Sequence, residues 1–192
     1  MNRSQLEHAI RAACQILHHP EVIIVGSQAI LGTFGEGDLP IEATMSRECD
    51  VLPIAETHEE TAHLADVLEG VAGEWSPFDD EHGFSIDGVD LTTVVLPEGW
   101  RSRLVRVQNA NTAPPAGEPR FTGWCLEPHD LCASKLIAGR EKDWNFVGAL
   151  LRMALIDHVT LIERVSLTPG SHRSAATRAM SWLRSTNRLN HG

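Results

Sequence analysis

The chain has 192 residues, 42% hydrophobic and 22% charged, an ordinary composition for a soluble globular protein with room for one medium domain or two small packed lobes. No apolar run approaches the roughly 20 residues of a membrane helix, and Met1-Asn2-Arg3-Ser4 opens no signal-peptide pattern, so a cytoplasmic protein without a membrane partner is expected. The net charge of −10 is uneven: residues 1–100 hold three basic and nineteen acidic side chains, residues 101–192 thirteen basic and seven acidic. An acidic first half concentrates divalent cations and a basic second half attracts triphosphate or an RNA backbone, unless the halves simply neutralise each other across their own interface.

In chain order, Ser4-Gln5-Leu6-Glu7 reads as a capping box, and Leu6, Ile10, Ala13 and Leu17 recur at helical spacing, so a helix is expected over 4–18, ended by Pro20. Val22 to Val25 is short and wholly apolar, as a buried strand is, and Gly26-Ser27 leads into a short helix to Phe34. A loop rich in glycine and acid, Gly35 to Pro40, precedes a second strand carrying Glu48 and Asp50. Thr57-His58-Glu59-Glu60 opens a helix to about Gly70, and Asp87-Gly88 between apolar runs predicts a two-residue hairpin. Trp100 to Val107 has the alternation of a strand, and Asn109 to Pro119 the composition of a linker. Pro128 is placed to start a helix, and residues 129–139, 143–156 and 171–185 read as helices. The fold class is therefore α+β: a mixed sheet with flanking helices in a lobe over 1–112, then a mainly helical lobe over 113–192.

Cys14, Cys49, Cys125 and Cys132 contain no Cys-x-x-Cys, and neither His58/His63 nor His18/His19 has the i, i+4 spacing of a helical ligand pair, so reduced buried thiols and non-ligand histidines are expected. Residues two apart in a strand share a face, so Glu48 and Asp50 can converge on one divalent cation while Cys49 points away. Two carboxylates on one face repel each other unless a counter-ion is present. The other reading of the pair is a solvated strand face.

The pattern Val22-Ile23-Ile24-Val25-Gly26-Ser27, a helix, then Ser46-Arg47-Glu48-Cys49-Asp50 resembles the nucleotidyltransferase superfamily, whose motif is Gly-Ser, a helix and Asp-x-Asp on the next strand. The long spacer and Ser46 bring it closer to the AbiEii-like branch, toxins of type IV toxin–antitoxin systems, although Glu48 stands where that pattern has Asp. The resemblance implies a nucleotidyltransferase-like fold, an NTP substrate and Mg²⁺ or Mn²⁺ held by Glu48, Asp50 and a third carboxylate on a neighbouring strand. Asp90, inside an apolar run, is the candidate for the third; Asp87 competes, but Asp before Gly is accounted for by turn chemistry. Gly26, Ser27 and Ser46 would face the nucleotide.

The segment Glu127 to Asp143 resembles the part of the same family where a helix carries a lysine and the following turn carries Arg/Lys-Asp. The resemblance makes Lys135 and Asp143 catalytic beside Glu48 and Asp50, with Lys135 on the triphosphate, Asp143 orienting the lysine or helping the nucleophile, and Arg140 and Lys142 near the leaving pyrophosphate. A snorkelling lysine and a plain helix connection with Asp143 as N-cap explain the same residues without function. The implied activity moves a nucleoside monophosphate to an acceptor hydroxyl, in the toxin branch a tRNA 3′ end, with a cognate antitoxin as partner. Arg101, Arg103, Arg106, Arg173, Arg178, Arg184 and Arg188 are then phosphate contacts. Transfer to a protein or an aminoglycoside-like hydroxyl, and a catalytically silent binding module, are the rival readings.

Overall fold

A computed structural model describes residues 1–189, with side chains through Thr186. Helices α1 (Arg3–Leu17), α2 (Ile41–Thr44), α3 (His58–Ala72) and α4 (Pro77–His82) are interleaved with strands β1 (Glu21–Ile24), β2 (Glu48–Leu52) and β3 (Ser85–Gly88). Strands β4 (Val105–Val107) and β5 (Thr122–Cys125) follow, and the chain continues through α5 (Pro128–Ala138), α6 (Glu141–Arg152), α7 (His158–Ser166) and α8 (Arg173–Leu189). The architecture is a mixed five-stranded sheet with flanking helices and a helical C-terminal part, as expected from the sequence. Among the described residues no helix is long and apolar enough to cross a membrane.

The strands lie in the order β3-β2-β1-β5-β4. β1 runs antiparallel to β2 and parallel to β5, while β2 and β3 are parallel and β4 and β5 antiparallel. β5 comes from beyond residue 113 yet sits inside the sheet between β1 and β4, which carries the chain's second stretch back into the layer of the first. Its Gly123 admits α1: a Cβ there would lie 2.3 Å from the Ile10 side chain. The expected hairpin at Asp87-Gly88 does not form. Gly88 ends β3 packed against the Ala65 carbonyl of α3, where a Cβ would lie 2.0 Å from the oxygen, and Asp87 and Gly88 pair with Asp50 and Val51 of β2 instead of forming a turn. The Val89 N–H still bonds the Val51 carbonyl at 2.9 Å, and the chain then leaves the sheet in a turn from Asp90 to Thr93.

Local capping follows the sequence with one shift. Thr57 accepts the Glu60 N–H at 3.1 Å and starts α3 as expected. α1 opens instead at Asn2, which exchanges hydrogen bonds with Gln5 at 2.9 and 3.0 Å. Glu7 is thereby free for another role: it is buried and accepts from the side-chain amides of Asn109 and Asn111, both at 2.7 Å, and from Arg3 at 3.1 Å. The segment read as a linker is pinned to α1 through it. All four cysteines are free and buried.

The helical part is organised around α5, which packs against α6, α7 and α8. Asp130 on α5 is fully buried, accepting from Arg103 Nε at 2.7 Å and Arg103 Nη2 at 3.0 Å, with Arg164 Nε 3.3 Å away. Arg103 therefore joins the β4 approach to the helices rather than reaching out for phosphate. Removing one member of such a cluster leaves buried charge uncompensated. Asp130→Ala is expected to lower the unfolding free energy by about 3 kcal/mol, measured by urea denaturation.

Candidate active site

A cleft of about 1140 Å³ lies between the sheet and α5–α6, large enough for a nucleoside triphosphate together with part of an acceptor. Glu48 and Asp50 enter it from β2, whose alternation leaves them exposed and half-buried on one side and buries Cys49 and Val51 on the other, with Leu52 buried at the strand's end. Gly26, at the turn after β1, accommodates the Asp50 carboxylate: a Cβ on Gly26 would lie 1.5 Å from Asp50 Oδ2. The glycine of the Gly-Ser pair is thus required by the second carboxylate of the neighbouring strand, the physical link between two motifs about twenty residues apart.

Ser27 begins a 3₁₀ segment, Ser27–Gly32, and its hydroxyl accepts a hydrogen bond from Lys135 Nζ at 2.8 Å. Lys135 also donates to Asp143 Oδ1 at 3.3 Å and lies 4.5 Å from the centroid of the Phe146 ring. Asp143 is fully buried and takes Arg140 Nε on its other oxygen at 2.6 Å. Gly139 makes this possible. Its left-handed backbone, φ 73°, ends α5 and redirects the chain so that α6 returns Asp143 to Lys135. Arg140 is the N-cap of α6, and Asp143 sits one turn inside it as an anchor for two cations. Burial pushes the Asp143 carboxyl up, but the Arg140 hydrogen bond and the charges of Lys135 and Arg140 outweigh it and hold it below its usual range.

Asp50 experiences the opposite balance. Burial raises its pKa and, with a smaller push from Glu48, outweighs the lowering by the charges of Lys135 and Arg140. Register pairs Asp50 with Asp87 on β3. Asp87 accepts from Ser85 Oγ at 2.9 Å, and its carboxyl is pushed up to about 6, by burial first and then by Glu69, Asp50 and Glu48. Asp90 is not brought to this group: its carboxylate is turned into its own loop, where it takes the Thr92 N–H at 2.6 Å and the Thr92 hydroxyl at 2.5 Å. Ser46 lines the cleft, with its hydroxyl accepting the Glu48 N–H at 3.3 Å. Arg140 and Lys142 line it as well. Arg101 stacks on Trp100 at 4.5 Å and Arg106 pairs with Gln108, both away from the cleft. Arg173, Arg178 and Arg184 are exposed on α8, and the Arg188 side chain lies outside the described residues.

Over residues 4–183 the sequence matches the family described as "Nucleotidyltransferase of unknown function (DUF6036)". The chain belongs to that nucleotidyltransferase family. No curated protein and no solved structure matches it. Members of a nucleotidyltransferase family act on nucleotides, and such enzymes generally use a divalent metal. Among the described residues no group of three His, Cys, Asp or Glu side chains is gathered closely enough to hold a metal ion. Glu48 and Asp50 nonetheless fit Mg²⁺, which keeps several waters and takes one or two carboxylates together with substrate phosphates.

Two substitutions check this geometry. Gly26→Ala forces the Asp50 carboxylate to move and is expected to cost about 1–3 kcal/mol of stability, whereas Gly37→Ala, with open space around its Cβ position, is neutral; thermal unfolding compares them. Asp87 binds a proton in the folded protein at a pH where the unfolded chain has lost it, so its contribution to stability falls as pH rises from about 4 to about 6. In metal-free protein Asp87→Asn is therefore expected to raise the melting temperature at pH 7.5 and to leave it unchanged near pH 4.

Proposed function

We propose that the protein is a Mg²⁺-dependent nucleotidyltransferase that moves a nucleoside monophosphate from an NTP to an acceptor hydroxyl and releases pyrophosphate. The observation that carries this reading is the joining of two clusters in one cleft: carboxylates on β2 beside Gly26, and the Ser27, Lys135, Asp143 and Arg140 network. The first suits a cation at the α-phosphate, and the second suits the β- and γ-phosphates. Glu48 and Asp50 hold the cation in this reading, with substrate phosphates and water completing its shell, while the Asp90 carboxylate stays bonded within its own loop. When bound, Mg²⁺ offsets phosphate charge at the reacting centre.

The chain's own groups are arranged for the remaining work. Because Ser27 Oγ accepts from Lys135, its own hydrogen is free to donate to a phosphate oxygen. Asp143 fixes the Lys135 ammonium and the Arg140 guanidinium in place before substrate arrives, so little ordering is left for the reaction itself. Lys142, at the exposed edge of the cleft, adds charge toward the departing pyrophosphate.

The acceptor in this proposal is an RNA hydroxyl, a tRNA 3′ end in particular, and the AbiEii-like pattern at Ser46, Glu48 and Asp50 adds a growth-inhibiting role with a cognate antitoxin. What supports an RNA is the surface next to the cleft. Gly139 and Asn145 lead from the cleft region into a groove with Arg178, Trp144 and Trp182, a combination of cation and aromatic rings suited to a nucleic-acid strand.

Incubation with Mg²⁺, each α-labelled NTP in turn and total cellular RNA is expected to label tRNA-sized species. Asp50→Ala should lower the rate on the order of 10²–10³-fold, and a chelator should abolish it. Label in protein or in a small cationic acceptor would replace the RNA assignment. NTP binding without any transfer would leave a silent binding module.

A further inference from the structure

Trp75 is the most exposed large apolar side chain among the described residues, with 84% of its surface accessible. The other four tryptophans are partly buried against the core. Trp75 has a left-handed backbone, φ 66°, a conformation that costs free energy for a residue with a Cβ, and its N–H bonds Asp79 Oδ2 at 3.3 Å. The indole stands in water on the wall of the cleft, whose lining also includes Met45, itself 70% exposed.

The charges along the cleft indicate what this ring meets. Following β2 outward, Asp50 lies against Gly26, Glu48 comes next, and Arg47 then bonds the Gly83 carbonyl at 2.9 Å with its Nη2 4.0 Å from Asp79. The Ser27 end carries Lys135, Arg140 and Lys142, whereas the Trp75 end carries Glu74, Asp79 and Asp80. A nucleotide with its phosphates at the cationic end has only its uncharged nucleoside to offer the acidic end, where a phosphate chain would be repelled. We propose that Trp75 is the platform on which the nucleobase of the donor nucleotide stacks, an inference that rests on the nucleotidyl-transfer reading of the same cleft. Stacking accepts any base, since every base has a π face, so Trp75 supplies affinity for the nucleoside and leaves base choice to polar neighbours.

Calorimetry with Mg²⁺ separates the two ends of the ligand by comparing an NTP with inorganic tripolyphosphate. Trp75→Ala, at an exposed position whose loss leaves the core intact, is expected to weaken NTP binding on the order of tenfold while tripolyphosphate binding stays within about twofold. Trp75→Phe should restore most of the NTP affinity, and the quenching of tryptophan emission by NTP should be absent in both variants. Unchanged NTP affinity in Trp75→Ala overturns the platform, and a loss confined to RNA binding would assign the ring to the acceptor instead. An equal loss of tripolyphosphate also overturns it, by showing a general distortion of the cleft. A wild type that binds neither ligand overturns the nucleotidyl-transfer reading and the platform together.

Discussion

The Asp143 carboxylate, buried and shared between Lys135 and Arg140, is the constraint on which the arrangement of this molecule depends. A lysine as buried as Lys135 keeps its charge only if something compensates it. Asp143 does so from α6, the Phe146 ring adds a favourable contact, and Ser27 takes the remaining direction. Through that last hydrogen bond the helical part is tied to the end of β1. The same network that closes the two parts of the chain on each other makes one end of the cleft positive.

The carboxylates on β2 and β3 form the counterpart. Asp50 fits only because Gly26 has no side chain, and Asp87 stands opposite it across the parallel pairing. Burial and the Glu48 charge raise the proton affinity of Asp50, and burial with Glu69, Asp50 and Glu48 raises that of Asp87, so apo protein stores repulsion that a bound cation relieves. Proteins break local rules of this kind mainly at functional sites. The cleft is thus cationic at α5–α6, carboxylate-lined in its middle and acidic again beside α4, an order that matches the charge distribution along an extended nucleotide and its metal.

Much of this is legible in the sequence. The i, i+2 spacing of Glu48 and Asp50 on a strand with an apolar alternate face placed both in the cleft, and the segment Glu127 to Asp143 put Lys135 and Asp143 on either side of a helix end, where the structure joins them. The short-range signals were weaker where a tertiary partner intervened. Asp87-Gly88 has the composition of a hairpin turn, but α3 packs on Gly88 and β3 instead extends along β2. That pairing, invisible in local composition, puts Asp87 rather than Asp90 beside Asp50. β5 escaped notice for a related reason: Thr122 to Cys125 contains a glycine and only four residues, and its strand character comes from lying between β1 and β4. Arg103 looked like a phosphate contact until Asp130, twenty-seven residues on, claimed it.

What the sequence by itself determined is the set of local geometries: helix starts at capping residues, the alternation of β2, the left-handed exit at Gly139 and the uneven distribution of charge. These depend on interactions between residues a few positions apart, and the chemistry of each side chain specifies them. Only the tertiary structure decided which carboxylate faces which, why Gly26 must lack a side chain, and that Trp75 is left in solvent on the cleft wall. Those outcomes depend on strand register and helix packing between segments far apart in the chain, where many pairings are compatible with the same local pattern and only the packed whole selects one.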